Sequence, residues 1–337
     1  MEPKKKKSAQ SIPVYRAADL QVVSGANLGD PLSFAAELDL DDTYELRRAA
    51  TPRRLSIVAA ENGSFTVAEG SAVGRPGATL HLDSCLTLMP ATGRTTEVLV
   101  LVEVDEAGHV RGVYALPLAD LAARTEYTLV GIDRVSARQK FAQLACVSFS
   151  RGTHITMASG EQKPIEDLSV GDLVLTRDDG PQAVRWIGES TVRAVGEFAP
   201  IRIRAGTLHN EGDLLVNPDH RLFIYQRFDA LGAGRHEVLV RARHLVNGDT
   251  VVRLEGGFVD YFQLLFDRHH IIFAEGIAAE TFFVDTRTRA ALPDDLGRAL
   301  DETLPGHEGR RHLEYEVSEA LLDHPDPASL LKRASTQ

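Results

Sequence analysis

The sequence predicts a mainly β protein made of two consecutive β-rich domains and a short helical C-terminal tail. Short stretches of alternating apolar and polar residues, separated by turn residues, recur along most of the chain. A length of 337 residues suits about two domains. We expect a disordered basic tail over residues 1–12, domains over residues 13–144 and 145–285, and a helical tail over residues 286–337.

The first domain is predicted to be sandwich-like. Residues 54–58 and 64–67 flank Asn62-Gly63, a strong hairpin signal, and a second hairpin is expected around Gly108. Short strands joined by such turns favour a sandwich or a small barrel. The domain shows no cluster of catalytic residue types, so its role and ligand stay open. The polar stretch 136–144 is expected to link it to the second domain.

The C-terminal tail contains three amphipathic stretches that predict short helices. They cover residues 293–304, 314–322 and 327–334, and proline opens the first and the third. An amphipathic helix buries its apolar face, so we expect this tail to pack on a domain or on a partner.

Composition and charge exclude several classes of protein. A content of 43% hydrophobic and 25% charged residues argues against a wholly disordered chain. The net charge of -11 disfavours broad nucleic-acid binding. No run approaches the ~18 apolar residues of a membrane span. The basic start at residues 4–7 precedes no apolar segment, so we expect a cytoplasmic protein, or export by a route without an N-terminal signal peptide.

The chain has two cysteines in different settings. This number excludes a disulfide scaffold and a CxxC zinc site. Cys85 lies in an alternating stretch and is interpreted as a small buried thiol. Cys146 opens the second β-rich segment, and His220 and His270 follow far downstream. A cysteine with remote histidines suits nucleophilic catalysis, although a buried thiol at a strand start is the alternative.

Three sequence blocks around these residues occur in a defined order. The first runs from Cys146 through Thr153 to Gly171-Asp172, the second ends at His220, and the third spans residues 261–276. In this order the segment from Cys146 to about residue 283 resembles the Hint domain, shared by inteins and the autoprocessing half of hedgehog proteins. It is most similar to the bacterial stand-alone Hint branch. The resemblance covers about 140 of 337 residues and implies a compact, all-β, pseudo-twofold fold.

The resemblance also implies a reaction on the chain's own N-terminal segment. The Cys146 sulfur would attack the Ala145 carbonyl, and this N-to-S acyl shift would turn the Ala145-Cys146 amide into a thioester. Water, a thiol or another small nucleophile would then accept the acyl group. The resemblance gives His220 the role of general acid, places oxyanion donors near Asn217, and makes His270 a second-step or orienting residue. No cofactor and no metal are expected.

Departures from the family pattern narrow this expectation. Asn217 stands where many members have Thr, and Gln263 falls where many have an activating Asp; Asp267 is a candidate replacement for that Asp. The intein C-terminal His-Asn pair is missing from the stretch that ends at Thr281, so splicing is not expected. Cleavage or acyl transfer at the N-terminal junction remains. Thr153 and Asp172 are interpreted as structural residues.

Other interpretations remain open. The Hint fold would persist as an inert scaffold that carries an N-terminal binding module, which Asn217 and Gln263 favour. A cysteine peptidase acting on other chains is disfavoured, since the scissile bond in this family lies next to the nucleophile. A metal site of Asp267, His269 and His270 is a weaker alternative. Adjacent histidines on a strand point to opposite faces, so one of the pair is expected to face solvent.

Overall fold

The computed structural model describes residues 10–60, 64–93, 95–145, 147–284, 288 and 313–336. These residues are mainly β, as the sequence pattern predicts. Contacts divide the chain into two compact units, Met1–Ala142 and Gln143–Gln337. Cys146 lies outside the described residues, and so does the helix predicted at residues 293–304.

The first unit contains nine strands within its described residues. They are β1 (Gln10–Arg16), β2 (Leu20–Ser24), β3 (Thr43–Leu46), β4 (Arg53–Ala59), β5 (Phe65–Val67), β6 (Thr79–Pro90), β7 (Thr96–Val104), β8 (Val110–Pro117) and β9 (Glu126–Asp133). Both predicted hairpins are confirmed, because β4 pairs with β5 and β7 pairs with β8, each antiparallel. β1 begins at Gln10, inside the stretch predicted to be a disordered tail.

The sheet of the first unit closes on itself. Its strand order is β2-β3-β9-β6-β5-β4-β1-β8-β7, and β6 also pairs with β7 along most of its length. Six strands thus form a ring, the arrangement of a small barrel, while β9, β3 and β2 extend from β6. Apolar side chains such as Leu86, Val100 and Leu129 are buried in its core. Cys85 is buried as well, near Lys140 of the chain that follows β9, which confirms its interpretation as a buried thiol.

The polar stretch expected to link the two domains forms a helix over most of its length. Helix α1 (Ala137–Ala145) is built largely from strong helix formers. Ala137 and Phe141 are buried on one face at i, i+4 spacing, and the Phe141 ring meets the Phe65 ring at 5.1 Å. The polar composition was misleading because, among residues 137–142, only Ala137, Phe141 and Ala142 are buried.

The second unit contains two sheets within its described residues. Its strands are β10 (Phe149–Ser150), β11 (His154–Thr156), β12 (Gln162–Pro164), β13 (Leu173–Thr176), β14 (Gly180–Ala183), β15 (Trp186–Arg193), β16 (Ile201–Ile203), β17 (Leu214–Val216), β18 (Arg221–Tyr225), β19 (Glu237–Arg241), β20 (Val251–Arg253), β21 (Phe258–Leu265), β22 (Ile271–Ala274) and β23 (Ile277–Glu280). One sheet has the order β15-β21-β10-β17-β16-β20. The other has the order β12-β11-β22-β23-β18-β19, with β13 paired to β22 and to β14.

A single apolar core joins these two sheets. Phe149 and Val216 come from the first sheet, and Leu222 and Ile272 from the second. The short β10 lies between β17 and β21, so the chain just after Cys146 enters the middle of a sheet. The turn between β17 and β18 crosses from one sheet to the other. Because that turn contains His220, the histidine lies where the two sheets meet.

The described part of the C-terminal tail packs on the second unit. Two 3₁₀ turns, Leu313–Tyr315 and Glu319–Leu322, replace the predicted helix at residues 314–322. The helix predicted at residues 327–334 is confirmed as α2 (Pro327–Thr336). The Asp326 carboxylate accepts the Ser329 N–H at 3.1 Å and caps this helix. Leu322, Ala328 and Leu331 complete the core of the second unit.

The helices within the described residues are too short or too polar to cross a membrane.

Candidate active site

The chain that follows Cys146 is held in place at Ser148. The Ser148 carbonyl oxygen accepts hydrogen bonds from the Asn217 N–H at 3.0 Å and from His220 Nδ1 at 3.0 Å. The Ser148 hydroxyl accepts a third from Gln263 Nε2 at 3.1 Å. Three residues predicted from the sequence thus converge two residues beyond Cys146. Ala145, on the other side of Cys146, is the last residue of α1.

His220 is fully buried and neutral at physiological pH. A carbonyl can only accept a hydrogen bond, so Nδ1 carries the proton and Nε2 carries a lone pair. Burial lowers the pKa of His220 to about 4, although the backbone groups of Ser148 and Glu280 and the charge of Glu280 act in the opposite direction. Nε2 makes no hydrogen bond of normal geometry with any described residue. The Phe149 ring lies against the imidazole, with 4.4 Å between ring centroids.

Asn217 shapes the turn that presents His220. Its Oδ1 accepts the Asp219 N–H at 2.9 Å, and its backbone oxygen accepts the His220 N–H at 2.9 Å. Pro218 has no N–H. The backbone N–H groups of this turn are therefore already used, since the one at Asn217 binds Ser148. Among the donors expected near Asn217, the side-chain Nδ2 remains.

Gln263 holds the chain at Ser148, and its amide cannot act as a base. It lies on β21 opposite Gly188, and its Nε2 donates to Ser148. A Cβ at Gly188 would lie 2.6 Å from Gln263 Oε1 and 2.2 Å from the Trp186 ring, so this position has room for glycine alone. An amide has no basic nitrogen, and its function here is to hold the Ser148 hydroxyl.

His270 is buried and bound on two sides. Its Nδ1 lies 3.2 Å from the Asp179 carboxylate. Its backbone N–H donates to the Thr281 hydroxyl at 3.0 Å, and that hydroxyl donates to the His270 carbonyl at 2.9 Å. The acidic partner of this histidine is Asp179, which lies between β13 and β14. Thr281 directly follows β23, and its hydroxyl holds the backbone of His270 through these two hydrogen bonds.

Asp267 does not replace the activating aspartate. Its carboxylate forms a bidentate ion pair with Arg185, at 2.8 and 2.6 Å, on the surface.

The expectation that one of the two adjacent histidines faces solvent is wrong, because His269 and His270 are both buried. Both histidines precede β22, so the alternation of side chains between the two faces of a strand does not apply to them. His269 Nε2 lies 3.0 Å from Glu280. The described residues contain no group of three side chains suited to a metal ion.

Thr153 and Asp172 have structural roles. Thr153 is buried, and its backbone oxygen accepts the Ile165 N–H at 2.8 Å. The Asp172 carboxylate accepts hydrogen bonds from Lys163 Nζ at 2.8 Å and from the Ser169 N–H at 2.9 Å, which closes a turn. These contacts agree with the sequence interpretation.

Sequence reasoning missed the buried ion pairs behind His220. Arg221 donates to Glu280 at 3.0 Å, and it also lies 3.1 Å from Glu316 of the tail. The available signal was a charged residue at the head of the apolar strand β18, since a buried charge needs a partner. Ser148 carried no signal, because its role depends on contacts made by the sheets.

Part of the chain is similar to known proteins. Residues 147–286 match the family model described as the Hint domain. No curated protein matches the chain. Among solved structures, the gp41-1 intein is similar over 40% of this chain and 97% of its own, with 13% identity and a TM-score of 0.25. The MchDnaB-1 intein is similar over 40% of this chain and 98% of its own, with 14% identity and a TM-score of 0.26.

Proposed function

We propose, from the premise that residues 147–286 form a Hint domain, that this protein cleaves its own chain at Ala145-Cys146. The Cys146 sulfur forms a thioester with the Ala145 carbonyl. Water, a thiol or another small nucleophile then releases residues 1–145. The substrate is the protein's own N-terminal part, and the reaction needs no cofactor.

One observation carries this proposal, namely the hydrogen bond between His220 and Ser148. The neutral, buried imidazole is joined at 3.0 Å to the chain two residues after Cys146. Consecutive Cα atoms are about 3.8 Å apart, so covalent geometry limits the Cα atoms of Cys146 and Ser148 to about 7.6 Å. A general base and acid within reach of the scissile bond is the first requirement of the reaction.

The proton balance needs one group that accepts and then donates. His220 Nε2 takes the proton from the Cys146 thiol, and the thiolate attacks the Ala145 carbonyl carbon. The carbon–nitrogen bond then breaks, and His220 returns the proton to the Cys146 nitrogen. A pKa lowered to about 4 keeps the ring neutral before attack and makes the imidazolium a strong acid for the leaving amine.

The developing oxyanion needs a donor, and Asn217 Nδ2 supplies it. The Asx turn holds Oδ1 of this amide against the Asp219 N–H, so the NH₂ group is the free end. The carbonyl of the last residue of a helix has no intrahelical partner. Ala145 ends α1, so its carbonyl is open to this hydrogen bond.

The second step is hydrolysis or acyl transfer, without splicing. Glu280 and Thr281 occupy the end of the third block, and the Thr281 hydroxyl is bound to the His270 backbone. Neither residue can cyclise as an asparagine does. His270, oriented by Asp179, is our candidate for activating the acceptor.

Intact-mass spectrometry of the full chain tests this function. The wild-type protein and Cys146→Ala are incubated with and without dithiothreitol, with Cys85→Ala as the matched cysteine control. We expect fragments that meet at Ala145-Cys146 in the wild type and in Cys85→Ala, but not in Cys146→Ala. The mass of the released piece identifies the acyl acceptor.

A full-length chain under every condition would instead support the second candidate, an inert Hint scaffold that carries an N-terminal binding module. Gln263 favours this candidate, because its amide stands where a base would activate the thiol and is committed to Ser148. The β barrel of residues 10–133 would then be the functional part.

A further inference from the structure

A short segment of the C-terminal tail lies against the strands behind His220. Between the two 3₁₀ turns, Glu316 forms a parallel bridge with Leu239 of β19, and the Val317 N–H donates to the Leu239 carbonyl at 3.1 Å. The Tyr315 ring packs on the Phe223 ring with 5.3 Å between centroids. These contacts hold the backbone of the segment, so the Glu316 carboxylate has a defined place.

The Glu316 carboxylate joins two arginines from adjacent strands. Its Oε1 lies 3.1 Å from Arg221 Nε on β18 and accepts a hydrogen bond from Arg241 Nε on β19 at 2.8 Å. Burial raises the pKa of Glu316, but the two positive charges outweigh this effect and lower it below its ordinary value. The carboxylate is therefore ionised at neutral pH and pairs with both arginines.

These two arginines control the residues on either side of His220. Arg221 follows His220 directly, and Arg241 donates to the Asp219 carboxylate at 3.0 Å. One carboxylate thus holds the preceding neighbour of the histidine through Arg241 and the following neighbour by direct contact. Backbone hydrogen bonds also hold the turn, from the Ala242 N–H to the His220 oxygen at 2.9 Å and from the Arg243 N–H to the Pro218 oxygen at 3.0 Å.

Other charged groups complete the cluster around the turn. Arg221 donates to buried Glu280, which also lies beside His269. Arg243 pairs with Asp219 at 2.8 Å and with Glu197 at 2.6 Å. Without Glu316, Arg221 keeps one carboxylate, Glu280, and Arg241 keeps Asp219. The backbone ladder of β18 and β19 still pairs Arg241 with Arg221, so the loss of Glu316 acts on the arginine side chains that contact the turn.

We propose that Glu316, outside the segment that matches the Hint family, is a positioning residue for His220. This proposal rests on the self-cleavage proposed above. The tail supplies a carboxylate that sets the geometry of the β17–β18 turn, and through it the hydrogen bond between His220 and Ser148. The C-terminal tail thereby contributes to the position of His220 in the site.

The test compares Glu316→Gln with Glu319→Gln in the full chain. Glu319 lies on the same segment, but its side chain is 83% exposed and its contact with His244 is long, at 3.9 Å. Two quantities are measured well below the melting temperature of each variant. They are the rate of thiol-induced cleavage and the ¹⁵N–¹H signal of His220 Nδ1–H, assigned with His220→Gln.

We expect Glu316→Gln to lower the cleavage rate by up to about 100-fold and to shift or broaden the His220 ring signal. Glu319→Gln should match the wild type in both. The ring signal decides the outcome. An unchanged signal in Glu316→Gln overturns the proposal, even if the melting temperature falls. If the wild type does not cleave, the proposed function fails, and a changed ring signal still supports positioning by Glu316.

Discussion

His220 Nδ1 lies 3.0 Å from the carbonyl oxygen of Ser148, although 72 residues separate them in the chain. This hydrogen bond connects the turn between the two sheets to the strand that leads away from Cys146. It also sets the tautomer, because the carbonyl requires a proton on Nδ1. The lone pair of the ring is therefore on Nε2. Three predictions concern these residues and their neighbours, and a fourth concerns Cys85.

The first prediction concerns stability at mild acid pH. The pKa of His220 falls from 6.5 to about 4 on folding because of burial. The unfolded chain binds this proton more readily, so stability is complete above about pH 6.5 and is lost as the pH falls toward about 4. The contribution is on the order of 3 kcal/mol.

Urea unfolding between these pH values checks it. His220→Gln should show a flatter pH dependence than the wild type. His109→Gln, whose side chain is 73% exposed, should keep the wild-type slope. Equal slopes in His220→Gln and the wild type would contradict a buried, neutral imidazole.

The second prediction separates two roles of Asn217. Asn217→Ala removes the turn acceptor and the Nδ2 donor, so we expect a stability loss of about 1 kcal/mol and slower cleavage. Asn217→Asp keeps an acceptor for the Asp219 N–H but has no NH₂ group. We expect a smaller stability loss and cleavage slowed by about 10²- to 10³-fold. Wild-type cleavage in Asn217→Asp would exclude Nδ2 as the oxyanion donor.

The third prediction tests the contact between Ser148 and Gln263. Ser148→Ala leaves the buried Gln263 Nε2 without this acceptor and should cost about 1–3 kcal/mol. The double variant Ser148→Ala, Gln263→Leu should be more stable than the sum of the single changes predicts. A double-mutant cycle built from free energies of unfolding in urea measures this coupling. Exposed Ser169→Ala should change stability by less than about 0.5 kcal/mol. Additive effects would show that the two side chains are not coupled.

The fourth prediction concerns Cys85. Burial is the main effect that raises the pKa of this thiol to about 11, and the charge of Glu97 adds to it. Lys140 acts in the opposite direction but is outweighed. Since the thiolate is the reactive form, iodoacetamide at about pH 8 should label Cys85 slowly in the folded chain and quickly in urea. Peptide mapping checks this, and rapid native labelling of Cys85 would contradict it.

Local patterns predicted the elements well where one face is clearly apolar. The hairpin of β4 and β5 and the helix α2 follow from turn residues and amphipathic spacing. Helix α1 was missed because its composition is polar. The barrel closure was left open, since the pairing of β6 with β7, β5 and β9 depends on strand bends that no local pattern encodes.

The site also contains residues that the sequence identified and residues that only the structure revealed. Asn217 and His220 lie in one short block, so the resemblance to the Hint domain pointed to them together. Asp179, Glu280 and Glu316 were not identified, because each reaches its partner from a distant part of the chain. Asp267 was a candidate replacement for the activating Asp that Gln263 lacks, yet Arg185 holds it at the surface.

The sequence by itself determined the β character, because strand periodicity and turn residues act over a few positions. The order of the three blocks, and the roles expected of Cys146 and His220, came from the resemblance to the Hint domain. Only the tertiary structure decided that Ser148 is bound by His220 and Gln263, 72 and 115 residues away in the chain. It also decided that His220 is neutral, because the loss of solvent around the ring sets its pKa and solvent exclusion is a property of the packed core.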